Sequence, residues 1–228
     1  MNRASTPVRS SQDPVHPRLS AVVCRHLQSP WLQPLHRPTV GAFERLCALS
    51  GFDPRKGLVF DSGCGTGHST RLMAQRHPDC LVIGIDRSAS RLSRLGRSDL
   101  PFREENAFWV QGELASFWRL ALERGWRLRR HYLLYPNPWP KAAQVQRRWH
   151  GHPVFPHMLA LGGKLELRCN WRTYAEEFRL ALQLARPGVV TNMECAESEL
   201  DWGAIETPFG RKYGRSGHQL YRLTADLG

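Results

Sequence analysis

Three glycines in alternation, Gly63, Gly65 and Gly67, follow directly on an acid, Asp61, that ends the apolar run Leu58-Val59-Phe60. A strand turning sharply into a helix with its backbone left bare has this grammar. Such a turn lets a small ligand lie against main-chain N–H groups at a helix N-terminus. A dinucleotide-binding turn carries its third glycine three residues after the second. Here the gap is two, and His68 follows. An acid at the strand end would repel a pyrophosphate and welcome an ammonium or sulfonium group. Further on, Val82-Ile83-Gly84-Ile85-Asp86 reads as a second buried strand ending in an acid, suited to gripping two ribose hydroxyls.

The unit Asp61, Gly63, Gly65, Gly67 and Asp86 therefore has the look of an S-adenosylmethionine (SAM) site in a class I methyltransferase. Glu113 follows a third strand, Ala107–Gln111. It can accept from an adenine amino group or stabilise the N-terminus of the next helix, Leu114–Arg124, and the two jobs are compatible. A fourth strand, Arg129–Tyr135, runs into Pro136-Asn137-Pro138-Trp139-Pro140-Lys141. Its three prolines stiffen the loop into an extended shape. The loop leaves its strand beside the glycine turn, where open α/β sheets bind ligands, so it is placed to aim Asn137 and Trp139. Trp139 and Trp171 either stack on a flipped base or simply pack.

The elements that must position these residues alternate. Helices are expected over Val40–Ser50, His68–Arg76, a short stretch capped by Ser88 bearing Arg91, Arg94 and Arg97, Leu114–Arg124, Val154–Leu161 and Tyr174–Arg186. Further strands are expected at Lys164–Cys169, Val189–Glu194 and His218–Leu223, with Asp201–Ser216 as a loop. The fold class is then α/β: a Rossmann-like class I SAM-dependent methyltransferase with a mostly parallel seven-stranded sheet and an antiparallel last strand. Residues 1–38 carry six prolines and one acid, Asp13, and read as a flexible basic arm, with a short turn of helix around Leu19–His26, ahead of a domain over 39–228.

Composition bounds the partners. The 228 residues have a formal charge of +12 and a pI near 10.1. Such an excess suits a polyanion, most simply nucleic acid, or an Arg-rich solubilising surface. No apolar run approaches the roughly 20 residues of a membrane span, and no signal-peptide core opens the chain. The six cysteines are scattered, which suits free thiols in a reducing cytoplasm. His150, His152 and His157 lack a cysteine or carboxylate at ligand spacing, so no metal site is expected.

Over roughly residues 40–225 the chain resembles the bacterial tRNA (guanine-N7) methyltransferases. The resemblance lies in Asp61-x-Gly63-Cys64-Gly65-Thr66-Gly67, in Tyr135-Pro136-Asn137-Pro138-Trp139-Pro140-Lys141 with Arg147-Arg148, in Asn170-Trp171-x-x-Tyr174-Ala175, and in Thr207-Pro208-Phe209-Gly210. It implies SAM contacts at Asp61, Asp86 and Glu113, and substrate contacts at Lys141, Asn170, Thr207, Pro208, Phe209 and Gly210. Arg147 and Arg148 are expected on phosphates. Asn137 stands where the family carries its proposed catalytic carboxylate, and is expected at the junction of cofactor and base. The chain departs from the family in one direction: Asn137 and Asn170 replace Asp, and Gly210 replaces Glu. Guanine N7 has no proton to lose, so its methylation needs no general base and depends on near-attack positioning. Carboxylates there would stabilise the cationic product, and an amide accepts more weakly. The expectation is SAM-dependent methylation of RNA, at N7 of a tRNA guanine, by a cytoplasmic enzyme. Methylation of an amino group on another RNA base or a small molecule, and non-catalytic binding of SAM or RNA, are the alternatives.

Overall fold

A computed structural model of the chain describes residues 5–10, 12, 15–97 and 99–228. In chain order the elements are α1 (Leu19–Gln28), α2 (Arg37–Cys47), β1 (Leu58–Ser62), α3 (His68–Arg76), β2 (Leu81–Asp86), α4 (Ala89–Leu92), β3 (Phe102–Glu104) and β4 (Ala107–Gln111). There follow α5 (Leu114–Glu123), β5 (Leu128–Leu134), α6 (Phe155–Ala160), β6 (Lys164–Cys169), α7 (Arg172–Ala185), β7 (Thr191–Ala196), α8 (Pro208–Gly214) and β8 (Leu220–Asp226). The strands form one sheet in the order β3-β4-β2-β1-β5-β6-β8-β7. The central strands β4, β2, β1, β5 and β6 are parallel. β8 is antiparallel to both β6 and β7.

The sheet thus has eight strands among the described residues, not seven. The addition is β3, which pairs antiparallel with β4 through Phe102 opposite Trp109. Three residues are too few to show an alternating pattern, and the stacked Phe102–Trp109 rings, 5.0 Å apart, hold the pair.

Both faces of β1 and β2 are buried, as their unbroken apolar runs require. Phe60, Ile83, Ile85 and Leu133 point to one side, where α1, α2, α5, α6 and α7 supply Val22, Phe43, Phe117, Phe155 and Phe178. Val59, Val82, Trp109 and Tyr132 point to the other, which receives Met73 of α3 and Leu92 of α4. The order of the strands reverses between β2 and β5 around β1, so the crevice lies beyond the C-terminal end of β1.

The expected helical turn around Leu19–His26 is present as α1, but the expected flexibility of the arm around it needs correction. From Leu19 it is helical, and Leu19, Val22 and Val23 form a buried stripe at helical spacing with α1 packed on α7. Ahead of α1, the Gln12 amide donates to Glu177 Oε1 at 2.6 Å and the His16 N–H to the same oxygen at 2.9 Å. Tertiary burial of that stripe outweighs the local proline signal. Residues 1–4, 11, 13 and 14 of the expected arm lie outside the described residues.

Candidate active site

Beneath the glycine turn sit two carboxylates with different partners. Asp61 is fully buried; its Oδ2 accepts from Ser69 Oγ and Thr70 Oγ1, both at 2.7 Å and both in the first turn of α3. Its other oxygen, Oδ1, is buried without a partner, an expensive condition for a carboxylate. Burial pushes the Asp61 carboxyl up to about 6, against the lowering pull of those two hydroxyls. Asp86 ties the turn to β2: Oδ2 accepts from the Gly65 N–H at 2.9 Å and Oδ1 from the Ser88 N–H at 2.8 Å. Each Asp86 oxygen retains a second lone pair.

The glycines do separate work. Gly67, at φ +73°, lies so close to the Trp109 ring that a Cβ would overlap it. Gly63, at φ +86°, has open space where a Cβ would stand, so a ligand can approach the chain there, although the Gly63 and Cys64 N–H groups already donate to the Ile85 carbonyl at 2.8 and 3.1 Å. An unpaired buried carboxylate oxygen, a glycine turn open to approach and an acid with spare acceptors fit the ammonium and ribose groups of SAM. Glu113 caps α5, accepting from Ala115 N at 3.2 Å and Ser116 N at 2.8 Å, which is the helix-stabilising one of its two compatible jobs.

A cleft of about 260 Å³ opens above the turn, lined by Gly63–Thr66, Tyr135 and Phe209, with the exposed side chains of Arg91, Arg94 and Lys212. Thr207, Pro208 and Phe209 reach it through α8, where a loop is expected from the glycine-rich sequence. Thr207 Oγ1 caps this helix by accepting from Gly210 N at 2.9 Å, with Pro208 in its first turn. The Thr-Pro pair is the helix-start signal that the surrounding glycines conceal.

Glu199, absent from the sequence-level expectations, anchors this wall. It is buried and accepts from Arg168 Nη1 (2.7 Å), Tyr135 Oη (3.1 Å) and the Thr207 N–H. A Cβ on Gly210 would overlap its carboxylate. Glycine at 210 is therefore what lets Glu199 reach the α8 cap.

The prolyl loop is strained at both ends. Tyr135 and Trp139 adopt left-handed φ values of +52° and +45°, conformations that cost about 1–3 kcal/mol each and persist only when their surroundings enforce them. Tyr135 is held by Glu199. Trp139 is held by its carbonyl, which accepts from Arg148 Nε at 3.2 Å and Nη2 at 3.1 Å. Asn137 between them is exposed, its Oδ1 accepting from the Trp139 N–H at 3.4 Å. It is not among the residues that line the cleft. Lys141 is exposed, as is Arg147, whose guanidinium lies 4.8 Å from the centre of the Trp139 ring.

Arg148 is a correction. It is fully buried, paired with Glu177 at 2.5 Å, bonded to Gln12 Oε1 and laid on the Trp171 ring, so no face remains for a phosphate. Its work is to fasten the prolyl loop to α7. Asn170 bonds His218 Nδ1 at 3.0 Å, and His218 Nε2 bonds the Ser5 carbonyl at 2.9 Å. Trp171 packs on the core, where packing and not stacking is realised. No group of three or more His, Cys, Asp or Glu residues that could hold a metal occurs among the described residues. No helix there is long and apolar enough to cross a membrane.

The family model described as "Putative methyltransferase" matches residues 55–223. The chain belongs to this methyltransferase family. The tRNA (guanine-N(7)-)-methyltransferase of Alkalilimnicola ehrlichii (strain ATCC BAA-1101 / DSM 17681 / MLHE-1) is 28% identical over 219 residues, 90% of this chain and 87% of that protein. The one from Treponema pallidum (strain Nichols) is 28% identical over 174 residues, 74% of this chain and 67% of that protein. Among solved structures, an antibiotic-related methyltransferase matches at a TM-score of 0.53 and 13% identity, covering 86% of this chain and 96% of its own. A 16S rRNA (adenine(1408)-N(1))-methyltransferase from Catenulisporales acidiphilia matches at 0.52 and 17%, covering 78% and 94%. At such identities these two structures show the methyltransferase fold alone. The curated relatives are those to which the four sequence motifs point.

Proposed function

We propose that this methyltransferase transfers a methyl group from SAM to N7 of a guanine in tRNA. One observation carries the reading: a single cleft joins the open glycine turn to an aromatic wall and to three exposed cations. When bound, SAM supplies an electrophilic methyl group. Asp61 Oδ1 accepts from its ammonium, and Asp86 from its ribose hydroxyls. Tyr135 and Phe209 offer ring faces to a planar base, which leaves its stack to reach them. Arg91, Arg94, Lys141, Arg147 and Lys212 hold phosphates, which positions the RNA without specifying its sequence.

The N7 lone pair attacks without losing a proton, so no residue need act as a base. Near-attack positioning is then the main source of rate. This is compatible with the amides at Asn137 and Asn170. Asn137 approaches the base from the stiff loop and accepts from it as a neutral group. Relatives named tRNA (guanine-N(7)-)-methyltransferase over most of this chain support the substrate. A tRNA substrate places the enzyme in the cytoplasm.

The test incubates purified protein with labelled SAM and unmodified bulk tRNA, then identifies the modified nucleoside by mass. The expected product is 7-methylguanosine; another methylated nucleoside removes the N7 assignment, and no label in any RNA removes the reading. Asn137→Asp is expected to raise the single-turnover rate, since a carboxylate stabilises the cationic product better. An unchanged or lower rate would count against a limiting role for the neutral residue.

A further inference from the structure

On the face of the sheet that carries Val59 and Tyr132, α3 ends at Arg76 near the start of the strands. There, around the N-terminal ends of β1, β5 and β6, lies a cavity of about 340 Å³. Arg76, Arg129, Arg130 and Lys164 line it, with Asp79 the single carboxylate. Among the described residues none of those four cations has a carboxylate within 4.0 Å: Glu166 is taken by Arg168, and Asp226, opposite Lys164 in the β6–β8 register, accepts from the Gly228 N–H. Half-buried His77 reports the field, its imidazole held below the usual range by burial and then by Arg130, Arg76 and Arg129.

This cavity is not isolated from the cleft. Lys212 of α8 lines the cleft, and the next residue back, Arg211, lines a groove of about 550 Å³ against α3. Arg211 is paired there with Glu206 at 2.6 Å, which lines the same groove. Arg76, at the end of α3, lines both that groove and the cavity. Cations thus step from the strand C-termini to the strand N-termini, roughly 17 Å apart for a five-residue strand. A small anion fills one pocket; a string of them suits a backbone with regularly spaced phosphates.

Resting on the proposed tRNA substrate, we propose that these cations form a track for the phosphate backbone of a folded RNA, running from the cleft around α3 to the cavity at the N-terminal ends of the central strands. The target nucleotide enters the cleft, and a more distant part of the same RNA is gripped by Arg76, Arg129, Arg130 and Lys164. The track supplies affinity and register, not chemistry.

Fluorescence anisotropy across a salt series tests this with two ligands, an unmodified tRNA and a short stem-loop bearing the target nucleotide. The variants are Arg129→Gln/Lys164→Gln, whose side chains are exposed and whose fold is checked by thermal unfolding, and the same pair with Arg76→Gln. For the double variant the expected result is a tRNA affinity lower by about tenfold or more and a salt slope shallower by about two. Stem-loop affinity is unchanged, and KM for tRNA rises at constant kcat. Unchanged tRNA affinity and slope would overturn the track, as would an equal loss for both ligands. So would saturable binding of inorganic pyrophosphate that the double variant abolishes while its tRNA affinity stays intact, since the cavity would then serve a small anion. Wild-type protein that binds tRNA through these cations but methylates none would sink the proposed function and leave the track standing.

Discussion

The two sides of the cleft use their carboxylates in opposite ways. On the cofactor side, Asp61 and Asp86 are held mainly by hydroxyls and main-chain N–H groups of the turn and its flanks, with exposed Arg91 3.9 Å from Asp86 Oδ2, and Asp61 Oδ1 is left open. On the substrate side, Glu177 and Glu199 are consumed inside the protein by Arg148, His150 and Arg168. What that side presents outward is neutral or cationic: Asn137, Lys141, Arg147, Lys212. In the proposed function one side keeps acids for a ligand carrying an ammonium, while the other spends its acids on shape and leaves cations for phosphate. Acid count near a pocket is therefore a poor guide to its charge.

This contrast can be broken from either end. The largest effect is expected for Glu177→Gln, which leaves Arg148 buried without its countercharge. Stability should fall by about 3–5 kcal/mol in urea denaturation. A loss below about 1 kcal/mol would mean that the pair holds nothing in place. Gly210→Ala comes next: the new methyl displaces the Glu199 carboxylate, at a cost of about 1–3 kcal/mol. In a Glu199→Ala background the same substitution should cost much less, and full additivity would refute the coupling.

On the cofactor side, Asp61→Asn should weaken SAM binding about ten- to a hundredfold by calorimetry while melting temperature holds or rises. The fold does not depend on this charge, since burial already disfavours it. The smallest effect is a pH dependence. With the Asp61 carboxyl at about 6 in the folded state, its ionised fraction grows as pH rises from 5 to 7, so SAM affinity should rise by about tenfold over that interval. The stability contribution has the opposite sign. A carboxyl raised above its unfolded value favours the fold below about pH 4, and that contribution is lost as pH rises through 6. Asp61→Asn should abolish the affinity trend.

Legibility in the sequence followed the range of the interactions. The glycine turn, Asp86 at the end of β2 and the parallel core were readable because each is written in consecutive residues. So was the Ser88 cap on α4, which accepts from Arg91 N at 3.3 Å. Glu199 and Glu177 were not, because their partners lie dozens of residues away. One local sign existed for Glu177: it sits on the same helical face as Tyr174, Phe178 and Ala181, where an acid must find a cation. Arg148 misled for the complementary reason. An Arg-Arg pair looks like a phosphate clamp, yet at Arg147-Arg148 one side chain points out and its neighbour points in.

The Gln12 side chain has a practical consequence. Its amide lies between Glu177 and Arg148, giving to one and accepting from the other, while Ser10 Oγ donates to the Pro140 carbonyl at 2.6 Å. The stretch that matches the family starts only at residue 55. Trimming the gene to that stretch would remove a peg that seats the proline hinge from the far end of the polypeptide. A shortened enzyme that keeps its donor but loses its nucleic acid would then reflect where the chain was cut, not how the catalyst works.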